Sequence, residues 1–180
     1  MADLVLTLIG PDRPGLVEAV AQVIAAQGGN WLESRMAHLA GKFAGILRVE
    51  VPDEKAKSVL AALTDLEGRG LRVLGEASSS AGEVSPGRTL ALELVGLDRP
   101  GLVREVSQLL ADGGANVEEL STDRTSAPMS GEMLFVAKAR VRLPSGSDLV
   151  ALRTALERLA NDLMIEIRLV ETSLDTKARP

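Results

Sequence analysis

Two octapeptides of nearly identical sequence contain the residues best suited to chemistry. Gly10–Val17 reads Gly-Pro-Asp-Arg-Pro-Gly-Leu-Val, and Gly96–Val103 reads Gly-Leu-Asp-Arg-Pro-Gly-Leu-Val, 86 residues later. Each combines a carboxylate, a guanidinium and two glycines just before a stretch of helical pattern. Such a segment can hold a small charged molecule, because glycine lets a ligand approach the backbone closely and a helix start offers unpaired N–H groups.

A second landmark recurs at the same offset. Gly28-Gly29-Asn30 follows the first octapeptide, and Gly114-Ala115-Asn116 follows the second. Two matching landmarks at one spacing indicate an internal duplication. The copies also differ, since Trp31 of the first copy becomes Val117 in the second. Because duplicated sites often diverge, we expect a ligand at one copy rather than at both.

The pattern suits the two charges of a free amino acid. Backbone N–H groups and the partial positive charge at a helix start stabilise a carboxylate, and an arginine can pair with it. An aspartate can meet the ammonium, and an asparagine amide can hold either end. The predicted ligand-binding residues are Asp12, Arg13, Gly15, Leu16 and Asn30 in the first copy, and Asp98, Arg99, Gly101, Leu102 and Asn116 in the second.

Each of these residue types also has a purely structural interpretation, and the local pattern leaves both open. The aspartates can be helix N-caps, each worth about 1 kcal/mol. The glycines can relieve crowding between helix and sheet, and the asparagines can hold a left-handed turn. The arginines can be solvated surface residues.

The elements around the octapeptides are predicted from hydrophobic periodicity. Strands at 4–9 and 90–95 should turn alternate leucines towards a core. A helix follows each octapeptide, with the proline in its first turn and glycine at its end. The apolar stripes of these helices are Leu16, Val20, Val23 and Ile24 in the first copy, and Leu102, Val106, Leu109 and Leu110 in the second.

The rest of each half is predicted as two strands, a helix and a last strand. The middle strands are predicted at 30–39 and 42–51 in the first half, and at 116–125 and 132–143 in the second. The second half carries about six extra residues between these strands, near Ser126–Gly131. Apolar residues repeat at helical spacing after Pro52 and Pro144, with Ser145 and Asp148 as start signals. The last strands are expected near 71–76 and 164–170. Each half thus predicts an α+β, ferredoxin-like βαββαβ domain, with a four-stranded antiparallel sheet and two helices on one face.

The domain boundaries follow from composition. Residues 1–77 form the first predicted domain and residues 89–174 the second. Residues 78–88 are small, polar and punctuated by proline and glycine, which predicts a linker. Residues 175–180 are predicted to be a flexible tail.

Composition disfavours several other functions. The 180-residue chain has no cysteine and a single histidine, His38, so no thiolate catalysis, disulfide or cysteine zinc site is expected, and no cofactor. A net charge of −5 and only three aromatic side chains disfavour direct nucleic-acid binding. No signal peptide and no apolar run of membrane-spanning length are visible. A cytoplasmic protein without membrane association or catalytic activity is the expectation.

The octapeptide between first strand and first helix, with Gly-x-Asn before the second strand, resembles the ACT domain. The resemblance covers both halves of the chain. It implies tandem ligand-sensing modules that commonly bind amino acids between neighbouring domains. A chain consisting of two such domains resembles the glycine cleavage system transcriptional repressor family. That resemblance implies sensing of a small amino acid such as glycine and action through a partner transcription regulator. We also expect the two copies to pack side by side, inside one chain or across a homodimer.

Three other functions stay open at this point. The domains can form a protein-interaction module without a small ligand. An enzyme is disfavoured by the absence of histidine pairs, cysteine and metal-ligand spacing. An RNA-binding sheet is disfavoured by the scarcity of aromatic residues.

Overall fold

A computed structural model describes residues 1–78, 86–128 and 130–172 of the chain. Its contacts divide the chain into two compact units, Met1–Val84 and Ser85–Pro180. Most of the predicted linker 78–88 and all of the predicted tail 175–180 lie outside the described residues, as does Met129 of the predicted insertion. The described chain resumes at Pro86, and a strand begins at Gly87, inside the predicted linker.

The first domain has the predicted βαββαβ order. It consists of β1 (Ala2–Pro11), α1 (Leu16–Ala26), β2 (Asn30–Leu39), β3 (Lys42–Val51), α2 (Ala56–Thr64) and β4 (Arg72–Ala77), with short 3-10 turns at Asp53–Lys55 and Asp65–Arg69. The sheet order is β2-β3-β1-β4, and every neighbouring pair is antiparallel.

The second domain repeats this order. It consists of β5 (Gly87–Leu97), α3 (Leu102–Asp112), β6 (Asn116–Ser126), β7 (Met133–Pro144), α4 (Leu149–Leu163) and β8 (Glu166–Glu171), in the antiparallel order β6-β7-β5-β8. Both middle hairpins carry a β-bulge at equivalent places, between Trp31 and Glu33 and between Val117 and Glu119. The predicted fold class is therefore confirmed in both halves.

Each domain has its own apolar core between one sheet face and the helices. The alternation predicted for the first strands is confirmed, because the inward leucines are buried. They are Leu4, Leu6 and Leu8 in β1, and Leu90, Leu92 and Leu94 in β5. Strand β7 also alternates, with Ala137, Ala139, Val141 and Leu143 buried. No described helix of the same domain covers the other face of each sheet, and we call that face the open face.

The helix ends agree only in part with the prediction. Gly28 and Gly114 adopt positive φ just after α1 and α3, as expected of helix-ending glycines. Asp148 caps α4, since its side chain accepts a hydrogen bond from the Ala151 N–H at 2.9 Å. The prolines of the octapeptides, however, precede the helices rather than entering their first turns, because α1 begins at Leu16 and α3 at Leu102.

Candidate functional site

The octapeptide of each domain forms the turn from the first strand into the first helix. The Asp12 N–H donates to the Gly41 carbonyl at 3.0 Å, and the Asp98 N–H donates to the Met133 carbonyl at 2.8 Å. Both bonds tie the turn to the hairpin between the second and third strands. The two candidate sites therefore have equivalent positions at the same end of their sheets.

Glycine is required at the last position of each turn by backbone conformation. Gly15 has φ +88° and Gly101 has φ +95°, in the left-handed region, and each is the N-cap of its helix. No side chain caps either helix, so the interpretation of Asp12 and Asp98 as N-caps is wrong. The crowding interpretation is wrong as well, since the nearest atom to a Cβ at Gly15 would be Glu18 Oε2 at 3.9 Å.

An open cleft of about 300 Å³ adjoins the start of α1 in the first domain. Its polar lining includes Arg13, Glu18 and Arg69, while Leu66 and Leu71 form part of its apolar floor. The Arg13 guanidinium donates to the Arg69 backbone carbonyl, so the Arg13 side chain lies against the segment after α2. The cleft also adjoins the backbone of Gly15 and Leu16, where the first N–H groups of a helix have no intrahelical partner.

The cleft thus offers charges of both signs. Two guanidiniums and a helix start can stabilise a carboxylate, and the Glu18 carboxylate can meet an ammonium. Sequence reasoning selected Arg13, Gly15 and Leu16 but missed Glu18 and Arg69. Glu18 was recognisable as an acid in the first turn of the predicted helix. Arg69 was not, because its approach depends on how the segment after α2 returns to the sheet.

The aspartates of the two turns have different partners. Asp12 Oδ2 lies 3.7 Å from His38 Nε2, whereas Asp98 Oδ2 lies 2.7 Å from Arg124 Nη2. His38 and Arg124 occupy equivalent positions in the two hairpins. His38 pairs with Phe43 on β3, and Arg124 pairs with Phe135 on β7. Asp98 is correspondingly less exposed than Asp12, at 24% against 46%. Asp98 is therefore held in a salt bridge by Arg124, whereas Asp12 has a histidine beside it.

The second arginine is also engaged within its own domain. Arg99 Nη2 lies 2.7 Å from Glu105 Oε2 on α3. Both charged side chains of the second octapeptide therefore have an opposite charge close by. In the first octapeptide, Arg13 turns to a backbone carbonyl instead and lines the cleft.

The predicted asparagines lie far from the turns of their own domains. Asn30 begins β2 and lies at the end of the sheet where β1 starts, because it pairs with Glu50, which pairs with Asp3. The turn follows the opposite end of β1, where Pro11 pairs with Lys42. Eight residues of strand separate these ends by about 27 Å. One amino acid cannot touch Asn30 and Asp12 of the same domain. The alternative of a left-handed turn is wrong for both asparagines, since neither has positive φ.

The second domain has an apolar pocket that the sequence did not predict. It lies between α3 and the β6–β7 hairpin, with a volume of about 30 Å³ and a lining that is apolar except for Ser107. Val117 and Ala139 line it, at positions where the first domain has Trp31 and Leu47. In the first domain Trp31 packs on the core and Leu47 is buried within it. The smaller Val117 and Ala139 side chains do not fill this space, so a pocket remains. Aligning the two repeats shows this difference in side-chain size and could have predicted the pocket.

Two carboxylates outside the turns are held by arginines on the open faces. Hydrogen bonds from Arg48 lower the pKa of Asp3, and the bond from Arg48 Nε to Asp3 Oδ2 is 2.8 Å long. A hydrogen bond from Arg142 lowers the pKa of Glu118 below its ordinary value of 4.5, with a further bond from Arg140 at 3.1 Å. Within the described ranges, no three acidic or histidine side chains cluster closely enough to hold a metal ion.

Comparison with known proteins agrees with this fold. The ACT domain family model matches residues 2–69. A crystal structure of an unknown protein from Galdieria sulphuraria is 32% identical, with a TM-score of 0.85, over 96% of this chain and 99% of that one. A crystal structure of a candidate glycine cleavage system transcriptional repressor is 22% identical, with a TM-score of 0.69, over 96% of this chain and 98% of that one.

These similarities define the class of protein. The curated proteins include no significant match to the chain. The family model falls on the first domain, and the full-length relative covers both domains. The first domain belongs to the ACT-domain family, and the second domain repeats the same ferredoxin-like fold in tandem. Among the described residues, no helix is long and apolar enough to cross a membrane.

Proposed function

We propose that the protein is a non-catalytic regulator that binds a small amino acid in the cleft at the start of α1. Glycine is the first candidate ligand, and a partner transcription regulator is the proposed recipient of the signal. Family membership supports the ligand class. The name of the candidate repressor that shares the fold suggests the class of partner. We expect the protein to act in the cytoplasm without binding nucleic acid directly.

The observation that carries this proposal is the charge pattern of the cleft. Arg13, Arg69 and the first N–H groups of α1 suit a carboxylate, and Glu18 at the same cleft suits an ammonium. A volume of about 300 Å³ is at the small end of ligand pockets, as expected for a single amino acid. Asp12 lies in the adjacent turn, outside the lining of the cleft, and remains a predicted contact for the ammonium.

The first domain is favoured over the second because its charges are less engaged. The Asp98–Arg124 and Arg99–Glu105 pairs would have to separate before their side chains could bind a zwitterion. Asp98, Arg99, Gly101 and Leu102 remain predicted contacts of a second ligand site in the second domain. Asn30 and Asn116 lie too far from the turns of their own domains to contact the same ligand. Alanine replacement of each polar member tests them.

Binding can signal only if the ligand prefers one conformation of the protein over another. The cleft joins the start of α1 to the segment after α2, so a ligand held by Arg13 and Arg69 would tie these two segments together. A partner that recognises this surface would then bind the liganded and free forms with different affinity.

A thermal-shift panel of the common amino acids tests the proposal. A site with a dissociation constant of about 10 µM would add about 2.7 kcal/mol of stability at 1 mM ligand, which raises the melting temperature measurably. Arg69→Ala should abolish that shift without unfolding the protein, because Arg69 is exposed. Arg99→Ala is the matched control in the second domain and should retain the shift.

The alternative is an interaction module without a small ligand. If no amino acid raises the melting temperature at millimolar concentration, the sensor proposal fails and the alternative stands. If Arg99→Ala abolishes the shift and Arg69→Ala does not, the ligand binds in the second domain and the assignment of the cleft is wrong.

A further inference from the structure

The first helical turns of the two domains carry different side chains beside the candidate sites. Ala19 of α1 corresponds to Glu105 of α3, 86 residues later. The backbone is the same at both places. The Ala19 N–H donates to the Gly15 carbonyl at 2.9 Å. In the second domain the Glu105 N–H donates to the Gly101 carbonyl at 3.0 Å. The two side chains therefore leave equivalent points of the backbone.

In the first domain this position is part of the cleft. Ala19 lines the cleft together with Arg13 and Gly15. An alanine side chain ends at its β-carbon, so it carries no group that could bind the Arg13 guanidinium. The space between Arg13 and the start of α1 is left for a ligand, whose carboxylate would interact with both.

In the second domain the same position carries a carboxylate that reaches both groups. Glu105 Oε2 accepts a hydrogen bond from Arg99 Nη2 at 2.7 Å. Its other oxygen, Oε1, lies over the beginning of α3, since a Cβ built on Gly101 would be 3.5 Å from it. One carboxylate thus lies between the arginine of the octapeptide and the start of the helix. The equivalent two groups would bind the ligand carboxylate in the first domain.

We propose that Glu105 is a built-in substitute for the carboxylate of the ligand, so that the second site is closed by its own side chain. The proposal rests on the proposed function, because it takes the cleft of the first domain as the binding site. Ala19 and Glu105 then decide which of the two copies binds an amino acid, although neither belongs to the octapeptides.

A carboxylate on the same chain competes strongly with a free one. It is present beside the arginine at an effective concentration on the order of millimolar or higher. A free amino acid has to displace Glu105 from Arg99 before its own carboxylate can bind there. We therefore expect the second site to bind an amino acid at least about tenfold more weakly than the first.

The preceding residue also differs between the domains, and its charge is reversed. Glu18 of α1 corresponds to Arg104 of α3. Glu18 is the proposed contact for the ammonium group, whereas an arginine at that place repels an ammonium. Removal of the Glu105 carboxylate should consequently open the second site to a simple carboxylate more than to a zwitterion. Acetate is therefore the probe for the second site.

An NMR titration of the full chain with sodium acetate tests the role of Glu105. The backbone N–H resonances of Leu16 and Leu102 report the two helix starts separately, and the ionic strength is kept constant. The wild type should require at least about tenfold more acetate than Glu105→Ala to give the same shift at Leu102. Glu105→Gln keeps the size of the side chain without its charge and should also respond to less acetate than the wild type. It decides the question if Glu105→Ala folds poorly.

Asp112→Ala is the matched control. Asp112 lies at the other end of α3, where Gln108 donates to it at 2.9 Å, and its replacement removes the same charge from the same helix. The response of Leu102 to acetate should stay within about twofold of the wild type, because solvent and salt screen a charge at that distance. A gain equal to that of Glu105→Ala, or no gain in either Glu105 variant, overturns the proposal.

The reciprocal variant places a carboxylate in the first cleft. Ala19→Glu should raise the dissociation constant for glycine, read at Leu16, at least about tenfold, whereas the uncharged Ala19→Gln should raise it less than about threefold. Equal losses would show that bulk rather than charge closes the site, which contradicts the proposal. A wild type whose Leu16 resonance never responds to an amino acid defeats the proposed function. The acetate titration of the Glu105 variants still decides the role of Glu105 in that case.

Discussion

The two domains share a backbone and differ in nearly every feature that can bind something. Both begin their first helix at a left-handed glycine, and both bury three alternating leucines in the first strand. The first domain has an open cleft, an apolar open face and an aspartate beside a histidine. The second has paired charges at the turn and a charged open face. Duplication has preserved what the backbone and core require, while the surfaces have diverged.

The cores differ in the same way on a smaller scale. Trp31 and Leu47 fill the space between helix and hairpin in the first domain, and Val117 and Ala139 leave a pocket in the second. The comparison predicts that equivalent substitutions will have unequal costs in the two domains.

The largest loss of stability is expected from truncating Leu47, which is buried in the core of the first domain. Leu47 is 1% exposed, so Leu47→Ala should destabilise the first domain by about 2–5 kcal/mol through lost burial and a new cavity. Hydrogen exchange read separately for each domain measures this loss. The second domain should change by less than about 0.5 kcal/mol, since distant sites are independent.

A substitution that enlarges the side chain at the equivalent position of the second domain is the control. Ala139→Val adds two methyl groups beside the existing pocket, and should cost less than about 1 kcal/mol or stabilise the domain. A loss of several kcal/mol would mean that the pocket cannot accept the added volume and that the comparison of the cores is wrong.

An intermediate effect, equal in both domains, is expected at the glycine N-caps. Gly15→Ala and Gly101→Ala force a Cβ into the left-handed region and should each cost about 1–2 kcal/mol. Gly68→Ala is the control, since Gly68 lacks positive φ and its Cβ would meet nothing within 4 Å. Chemical denaturation measures all three. A cost at Gly15 far below that at Gly101 would show that the first turn can adopt another conformation.

The smallest effect concerns the open face of the second domain and depends on pH. Because the folded pKa of Glu118 is lowered, its stabilising contribution is present above its unfolded value of 4.5 and disappears as the pH falls through the folded value. Glu118→Gln should therefore cost about 1 kcal/mol at pH 7 and nothing near pH 2. Unfolding measured across this range checks the trend.

Glu93→Gln is the matched control on the same face. Glu93 is 53% exposed and 4.0 Å from Lys138, so its replacement should cost close to nothing at any pH. A cost at Glu118 that persists at pH 2 would show that its carboxylate charge is not the source of the stabilisation.

Much of the fold could be predicted because local patterns and long-range packing agree. Alternating leucines, helical stripes and helix-ending glycines each matched the sheet and helices that the structure contains. The helix starts were mispredicted, since Pro14 and Asp12 are usual helix-start residues and nothing local reveals that Gly15 adopts positive φ. Asn30 was grouped with Asp12 by their shared repeat, although the antiparallel path of β1 and α1 separates them along the sheet.

The sequence alone determined the duplication, the βαββαβ order and the inward faces of the strands, because periodicity and spacing are local properties of the chain. The tertiary structure decided which charges meet. It brought Arg69 to the cleft beside Arg13, paired Asp98 with Arg124, and gathered Val5, Ile46 and Leu74 into one patch. Those contacts join residues distant in the chain, and their positions depend on strand order and register, which no single segment encodes.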